Sequence, residues 1–132
     1  MIRAVRVVAA AALTLSGLWV GAAQASAASL ASLPTCTRQA TLIYQPVADN
    51  YSSDCVLGYG NQGDGVVALQ RALNQCNNQP VGVDGIFGNE TKAAIVRIQR
   101  AAGITQDGVY GPQTRNHMGF MIYGSGEQYC VY

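Results

Sequence analysis

The sequence predicts a mainly α, compact three-helix module with a short disulfide-closed N-terminal extension. Three observations carry that expectation. Asp84-Gly85-Ile86-Phe87-Gly88-Asn89-Glu90-Thr91 returns 23 residues later as Asp107-Gly108-Val109-Tyr110-Gly111-Pro112-Gln113-Thr114, and a repeat of this period points to a small supersecondary unit used more than once. Core-side residues recur at i, i+3, i+4, i+7, as Val66, Leu69, Gln70 and Leu73, and at 3–4 spacing as Ala94, Ile95, Ile98 and Ala102; this is the period of an amphipathic helix. Four cysteines, Cys36, Cys55, Cys76 and Cys130, lie in a chain of 132 residues, an even count that reads as two disulfides in a small secreted protein.

The chain opens with Arg3 and Arg6, runs apolar from Val7 to Val20, and reaches the A-x-A site Ala23-Gln24-Ala25. This is the three-part plan of a secretory signal peptide, expected over 1–25, with a cut after Ala27 as the near alternative. The apolar run falls short of the ~20 residues a spanning helix needs. Losing Arg3 and Arg6 takes the eight cations to six against seven acids, a net charge of −1. A near-neutral mature chain argues against nucleic acid or an anionic membrane as partner. The leader places the protein outside the cell, secreted or associated with the wall.

Residues 26–57 read as a linker followed by the extension. Ser26 to Pro34 is rich in Ala and Ser. Thr41-Leu42-Ile43-Tyr44 has strand character, with Pro46 and Asp49-Asn50 as punctuation; a hairpin-like element is expected. Three disulfide pairings are possible. The favoured one joins Cys36 to Cys55, closing a short loop, and Cys76 to Cys130, tying a helix end to the tail. Such bridges typically stabilise by ~2–4 kcal/mol each. No two cysteines have CxxC spacing, so no zinc site is expected.

Residues 58–119 carry the helices. Gly63-Asp64 starts the first, with Asp64 at the positive end of its dipole, and Asn77-Asn78-Gln79-Pro80 closes it. Pro112 sets the register of the later helices, because proline is favoured at the first helical position. Gly111, and by repeat Gly88, then become N-caps. Glu90 falls in a first turn, where a negative charge is favoured. Thr91 and Thr114 occupy third helical positions, from which their hydroxyls can bond back toward the cap. Gly103 suits the C-terminal cap of the second helix. Asp84-Gly85 and Asp107-Gly108 are turn chemistry: Asp accepts backbone N–H bonds and Gly supplies positive φ. Phe87 plugs the core beside its turn, whereas the Tyr110 hydroxyl wants a partner and points to a wet edge. Val66-x-x-Leu69-Gln70 matches Ile95-x-x-Ile98-Gln99, 29 residues apart, so the helices echo one another too. Gln70 and Gln99, on the core side, are expected to bond the turn backbones.

The order and spacing of Gly63, Val66, Leu69, Gln70 and Leu73, then Asp84-Gly85-x-Phe87-Gly88-x-x-Thr91-x-x-Ala94-Ile95-x-x-Ile98-Gln99, then Gly103-Ile104 and Asp107-Gly108-x-Tyr110-Gly111-x-x-Thr114 resembles the peptidoglycan-binding domain of type one. The match covers about Gly58 to His117. The resemblance implies a three-helix module of the kind attached to cell-wall hydrolases and found in secreted bacterial proteins, and noncatalytic binding of peptidoglycan. Ile98 stands where the family usually has Phe. The extension and the tail of 120–132, which carries Cys130, fall outside the pattern.

No catalytic residue is assigned. His117 is the one His. A metal-dependent hydrolase needs about three ligands on a preformed site, and a glycosidase needs two carboxylates across a sugar ring. Asp84 and Asp107 are accounted for by turns. A calcium loop aligned on Gly85 would place Pro80, Gly82 and Thr91 at ligand positions, with no closing acid. No cofactor or metal is expected. Polymer binding calls for aromatic faces and amide or guanidinium donors. The candidates are Tyr59, Asn61 and Gln62 in the loop before the first helix, Arg97 and Arg100 on the second, and Tyr110 with Gln113 at the third. Taken singly, each arginine also reads as part of a solvated helix face. A second reading is a protein-interaction or inhibitor module, motivated by the extension and by Tyr123, Tyr129 and Tyr132, since Tyr favours interfaces.

Overall fold

A computed structural model describes residues 32–132. The expected signal peptide over 1–25 and the start of the linker lie outside the described residues. The element order is β1 (Arg38–Gln39), β2 (Pro46–Val47), α1 (Asp64–Cys76), α2 (Asn89–Ala102), α3 (Pro112–Arg115), β3 (Phe120–Gly124) and β4 (Glu127–Val131). The helices begin where the glycine and proline logic places them: Gly63, Gly88 and Gly111 are the N-caps, and Pro112 opens α3. Gly103 ends α2 in the left-handed region at φ 67°, its N–H donating to the Arg100 carbonyl and the Ile104 N–H to the Gln99 carbonyl, which is glycine's usual service at a helix C-terminus.

One core joins all the parts. Val66, Leu69, Leu73, Phe87, Ala94, Ile95 and Ile98 meet Cys36, Ala48, Cys55 and Leu57 of the extension and Met118 and Phe120 beyond α3. The extension is therefore part of the packed unit. Gly65 shows how closely it docks: a Cβ there would lie 2.1 Å from the Cys36 carbonyl oxygen. The disulfides are Cys36–Cys55 and Cys76–Cys130, the favoured pairing, closing separations of 19 and 54 residues.

Three expectations need correction. The strand character of 41–44 does not become a strand: β1 and β2 pair on either side of it, Arg38 with Val47 and Gln39 with Pro46. Leu42 is exposed, and Ile43 bridges to Ile122 instead. The tail of 120–132 is an antiparallel hairpin, β3 with β4, from Phe120↔Val131 to Gly124↔Glu127. Ser125 and Gly126, both at positive φ, turn it, a two-residue turn whose twist suits paired strands. The mainly α description thus holds for the central segment, with a β-hairpin on each flank. Finally, no side chain caps α2 or α3: the Thr91 and Thr114 hydroxyls accept from the glutamine clasps described below, and that of Thr114 also donates back to the Val109 carbonyl.

Candidate functional site

The repeated phrase forms two copies of one clasp. Gln70 is 1% exposed. Its amide nitrogen donates to Asp84 Oδ1 (2.9 Å), the Ile86 carbonyl (3.0 Å) and Thr91 Oγ1 (3.2 Å). Its amide oxygen accepts from the Asp84 and Gly85 N–H groups. Asp84 also accepts the Ile86 N–H at 2.9 Å, and that bond, followed by the one from Gln70, holds its carboxyl below the usual carboxylate range. In the second copy Gln99 donates to Asp107 Oδ1 (2.7 Å), the Val109 carbonyl and Thr114 Oγ1, and accepts the Gly108 N–H. Gly85 and Gly108 stand at φ 73° and 70°, where a Cβ is costly. Buried polar atoms matched in this way fix a unique geometry. The clasp bonds tie Asp84, Gly85, Thr91, Asp107, Gly108 and Thr114 to the helix glutamines, while Phe87 is buried in the core and Gly88 and Gly111 are N-caps.

The loop expected to bind ligand pairs with the first phrase. Gly60 N–H donates to the Phe87 carbonyl, and Phe87 N–H to the Asn61 carbonyl. The Asn61 side chain accepts the Gly58 N–H at 2.7 Å, so its acceptor oxygen serves the loop. Tyr59 and Gln62 remain exposed, as does Gln113. Tyr110 requires a correction: it is fully buried in the core, and its hydroxyl has no partner among the described residues. Burial pushes its pKa well above the ordinary tyrosine value. Leu57 and Tyr110 exchange backbone hydrogen bonds, which draws the ring inward and away from any ligand surface. Arg100 bonds Gln106 along the helix flank.

Arg97 does line a groove. Its volume is about 440 Å³, and it runs between the C-terminal end of α1 and the face of α2. The floor is Ile98, Ala101 and Ala102; the rim is Asn77, Asn78, Gln79, Arg97 and His117; Tyr132 forms one wall. Gln79 Oε1 accepts the Arg97 Nε–H at 2.6 Å, which orients the guanidinium. The side chains of Asn78 and His117 have no hydrogen-bond partner among the described residues. An apolar floor with a few convergent donors and acceptors is the usual form of a ligand site, and this volume lies in the usual range of ~300–1,000 Å³. No lining side chain is a carboxylate. Two further grooves occur. One, of about 360 Å³, lies between the extension and α1 and includes Arg38, Tyr51, Asp64 and Arg71. The other, of about 380 Å³, lies beside β3 and includes Arg115 and Asn116. None of the three holds two carboxylates.

Of Tyr59, Asn61, Gln62, Arg97, Arg100, Tyr110 and Gln113, Arg97 alone lines any of these three grooves. Of the α1–α2 groove's other lining residues, Asn78, Gln79 and His117 were not among the binding candidates, and Tyr132 was named only for the protein-interaction reading. The amide run after α1 was a visible signal, but it also reads as a helix terminator. Nothing in the sequence places Tyr132 beside it.

The duplicated glutamine clasp joins the helices into one small repeat module. Residues 62–118 match the family described as “Putative peptidoglycan binding domain”, and the chain belongs to that family. It is 42% identical over 65 residues to “Probable N-acetylmuramoyl-L-alanine amidase” of Bacillus licheniformis, covering 48% of this chain and 18% of that protein. It is 35% identical over 100 residues to a zinc D-Ala-D-Ala carboxypeptidase of Streptomyces albus G, covering 74% of this chain and 39% of that one. It is 34% identical over 103 residues to an uncharacterized protein in the bpoA1 3′ region of Kitasatospora aureofaciens, covering 76% of this chain and 79% of that one. The chain thus spans less than half the length of the two enzymes. The two longer matches exceed the family segment, so they take in flanking residues as well.

Proposed function

We propose that this protein is a secreted, noncatalytic binder of bacterial cell-wall peptidoglycan and that the α1–α2 groove is its contact surface. The observation that carries the reading is the groove itself: an apolar floor rimmed by amides and a guanidinium, within the segment that matches the peptidoglycan-binding family. Its noncatalytic part rests on residue chemistry. Hydrolysis of a glycosidic bond calls for paired carboxylates, which none of the three grooves carries. Among the described residues no group of three or more His, Cys, Asp or Glu is placed to hold a metal. Two disulfides accord with secretion. Among the described residues no helix is long and apolar enough to cross a membrane.

A pull-down of the mature chain with purified insoluble peptidoglycan tests the reading. Wild-type protein is expected to pellet at low and moderate salt, and Arg97→Glu to pellet several-fold less while melting normally. Wild-type protein that stays in the supernatant alongside a known wall binder that pellets would sink the idea. Equal pelleting by Arg97→Glu would move the contact surface elsewhere. Clearance of a cell-wall suspension by the pure protein would overturn the noncatalytic part.

A further inference from the structure

Tyr132 lines two grooves at once. On one side is the α1–α2 groove, and on the other the groove bounded by Gln45, Arg115, Asn116 and Phe120. The residue is 89% exposed, yet it is held in place. Its hydroxyl donates to the Cys76 carbonyl at 2.9 Å. Its ring lies on the bare backbone of Gly119, where a Cβ would come within 2.6 Å of Cε1. Gly119 is itself fixed by the Asn77 side chain, which donates to its carbonyl (2.8 Å) and accepts its N–H (2.9 Å). The Cys76–Cys130 disulfide ties down the strand two residues upstream.

An apolar ring left in water is ordinary when mobile. A ring kept in water by a hydrogen bond, a glycine seat and a disulfide is a preorganised contact, because the entropy of ordering it is already spent before a ligand arrives. Its polar tip is anchored to protein, so the ring face is what it offers. The complement of such a face is the C–H face of a pyranose ring. The flanking groove fits an N-acetyl substituent: Ile98, Ala101 and Ala102 take its methyl, while the unpartnered Asn78 amide can bond its amide. Neither groove has a carboxylate side chain in its lining.

We propose that Tyr132 is the stacking platform of a glycan site with a subsite in the groove on either side, which takes a run of β-linked N-acetylated amino sugars. This rests on the reading of the chain as a peptidoglycan binder and names the glycan strand, not the stem peptide, as the part it holds.

The test uses the full mature chain and two soluble probes: a β-1,4-linked N-acetylglucosamine oligosaccharide, and a free stem peptide without sugar. Peptidoglycan pelleting runs in parallel. The oligosaccharide is expected to compete with peptidoglycan and to shift the NMR signals of His117 and Gly119 on one side of the ring and Asn116 on the other. Tyr132→Ala is expected to lose about tenfold or more in oligosaccharide affinity, and Tyr132→Phe, which keeps the ring, to lose much less. Gly119→Ala, which pushes the ring off its seat, should fall between them. Thermal melts of each variant separate lost folding from lost binding. If the wild type pellets but only the stem peptide competes, or if Tyr132→Ala binds the oligosaccharide as well as the wild type, the glycan platform is wrong and the wall-binding reading stands. If the wild type does not pellet, both fall.

Discussion

Replacing Gln70 by Leu tests the central claim that the repeated phrase is an internal clasp. The side chain is buried and makes five hydrogen bonds. Leucine is close in size, so the cavity term is small and the polar loss dominates. Not all five bonds count equally. Asp84 is exposed, so water can replace what Gln70 gave its carboxylate. The Gly85 N–H is buried and would be stranded, at about 1–3 kcal/mol. Thr91 Oγ1, also buried, would lose its donor, at roughly another 1 kcal/mol or more. Burying leucine's apolar surface returns ~1–2 kcal/mol. With the weakened solvent-side bonds added, the net loss is about 2–4 kcal/mol, a large share of the ~5–15 kcal/mol of a typical domain. Urea denaturation at neutral pH with both disulfides intact measures it. Because the second clasp repeats the first, Gln99→Leu should cost a similar amount. A loss below ~1 kcal/mol at both positions would refute the reasoning, since it would mean that the turns hold themselves without the glutamines.

Two further outcomes follow from buried or shifted groups. Tyr110→Phe removes a fully buried hydroxyl that has no partner among the described residues; it should leave the thermal midpoint unchanged or raise it, and a loss of more than ~1 kcal/mol would show that the hydroxyl is bonded after all. Asp84 has a folded pKa held below its unfolded value of ~3.9 by the Ile86 N–H and then Gln70. Its stabilising effect is therefore full above that value and lost as pH falls through the lower folded pKa. Asp84→Asn should flatten the fall in melting temperature across that acid window, and parallel curves for the two proteins would contradict the assignment.

Sequence and tertiary structure divided the work along the range of the interactions. Helix limits were legible because their causes are local: Pro112 at a first helical position, Gly103 in the left-handed region at a C-terminus, and core residues three and four apart. The Asp-Gly turns were legible for the same reason, as was the presence of a clasp partner on the core side of each helix. The clasp's full geometry was not, because Gln70 and Thr91 are 21 residues apart and nothing local says that an amide will meet a hydroxyl. Strand propensity at 41–44 was expressed only as a single bridge, Ile43 to Ile122 of β3, while the pairing within the extension fell to the residues on either side. Tyr110 misled because its own hydroxyl argued for water, while its position opposite Leu57 drew it into the core.

The binding surface lay furthest from what a sequence can disclose. By itself the chain disclosed the helices, the turns and the family, all through short-range patterns; the secretory leader expected at its start lies outside the described residues. Tertiary structure alone decided which side chains share a groove. Tyr132 reaches Asn77, Arg97 and His117 only because β4 folds back along β3 and Cys130 bridges to Cys76. The Tyr132–Cys76 hydrogen bond and the Cys76–Cys130 disulfide join residues more than 50 positions apart, and their closure depends on how the whole core packs, which no local pattern encodes.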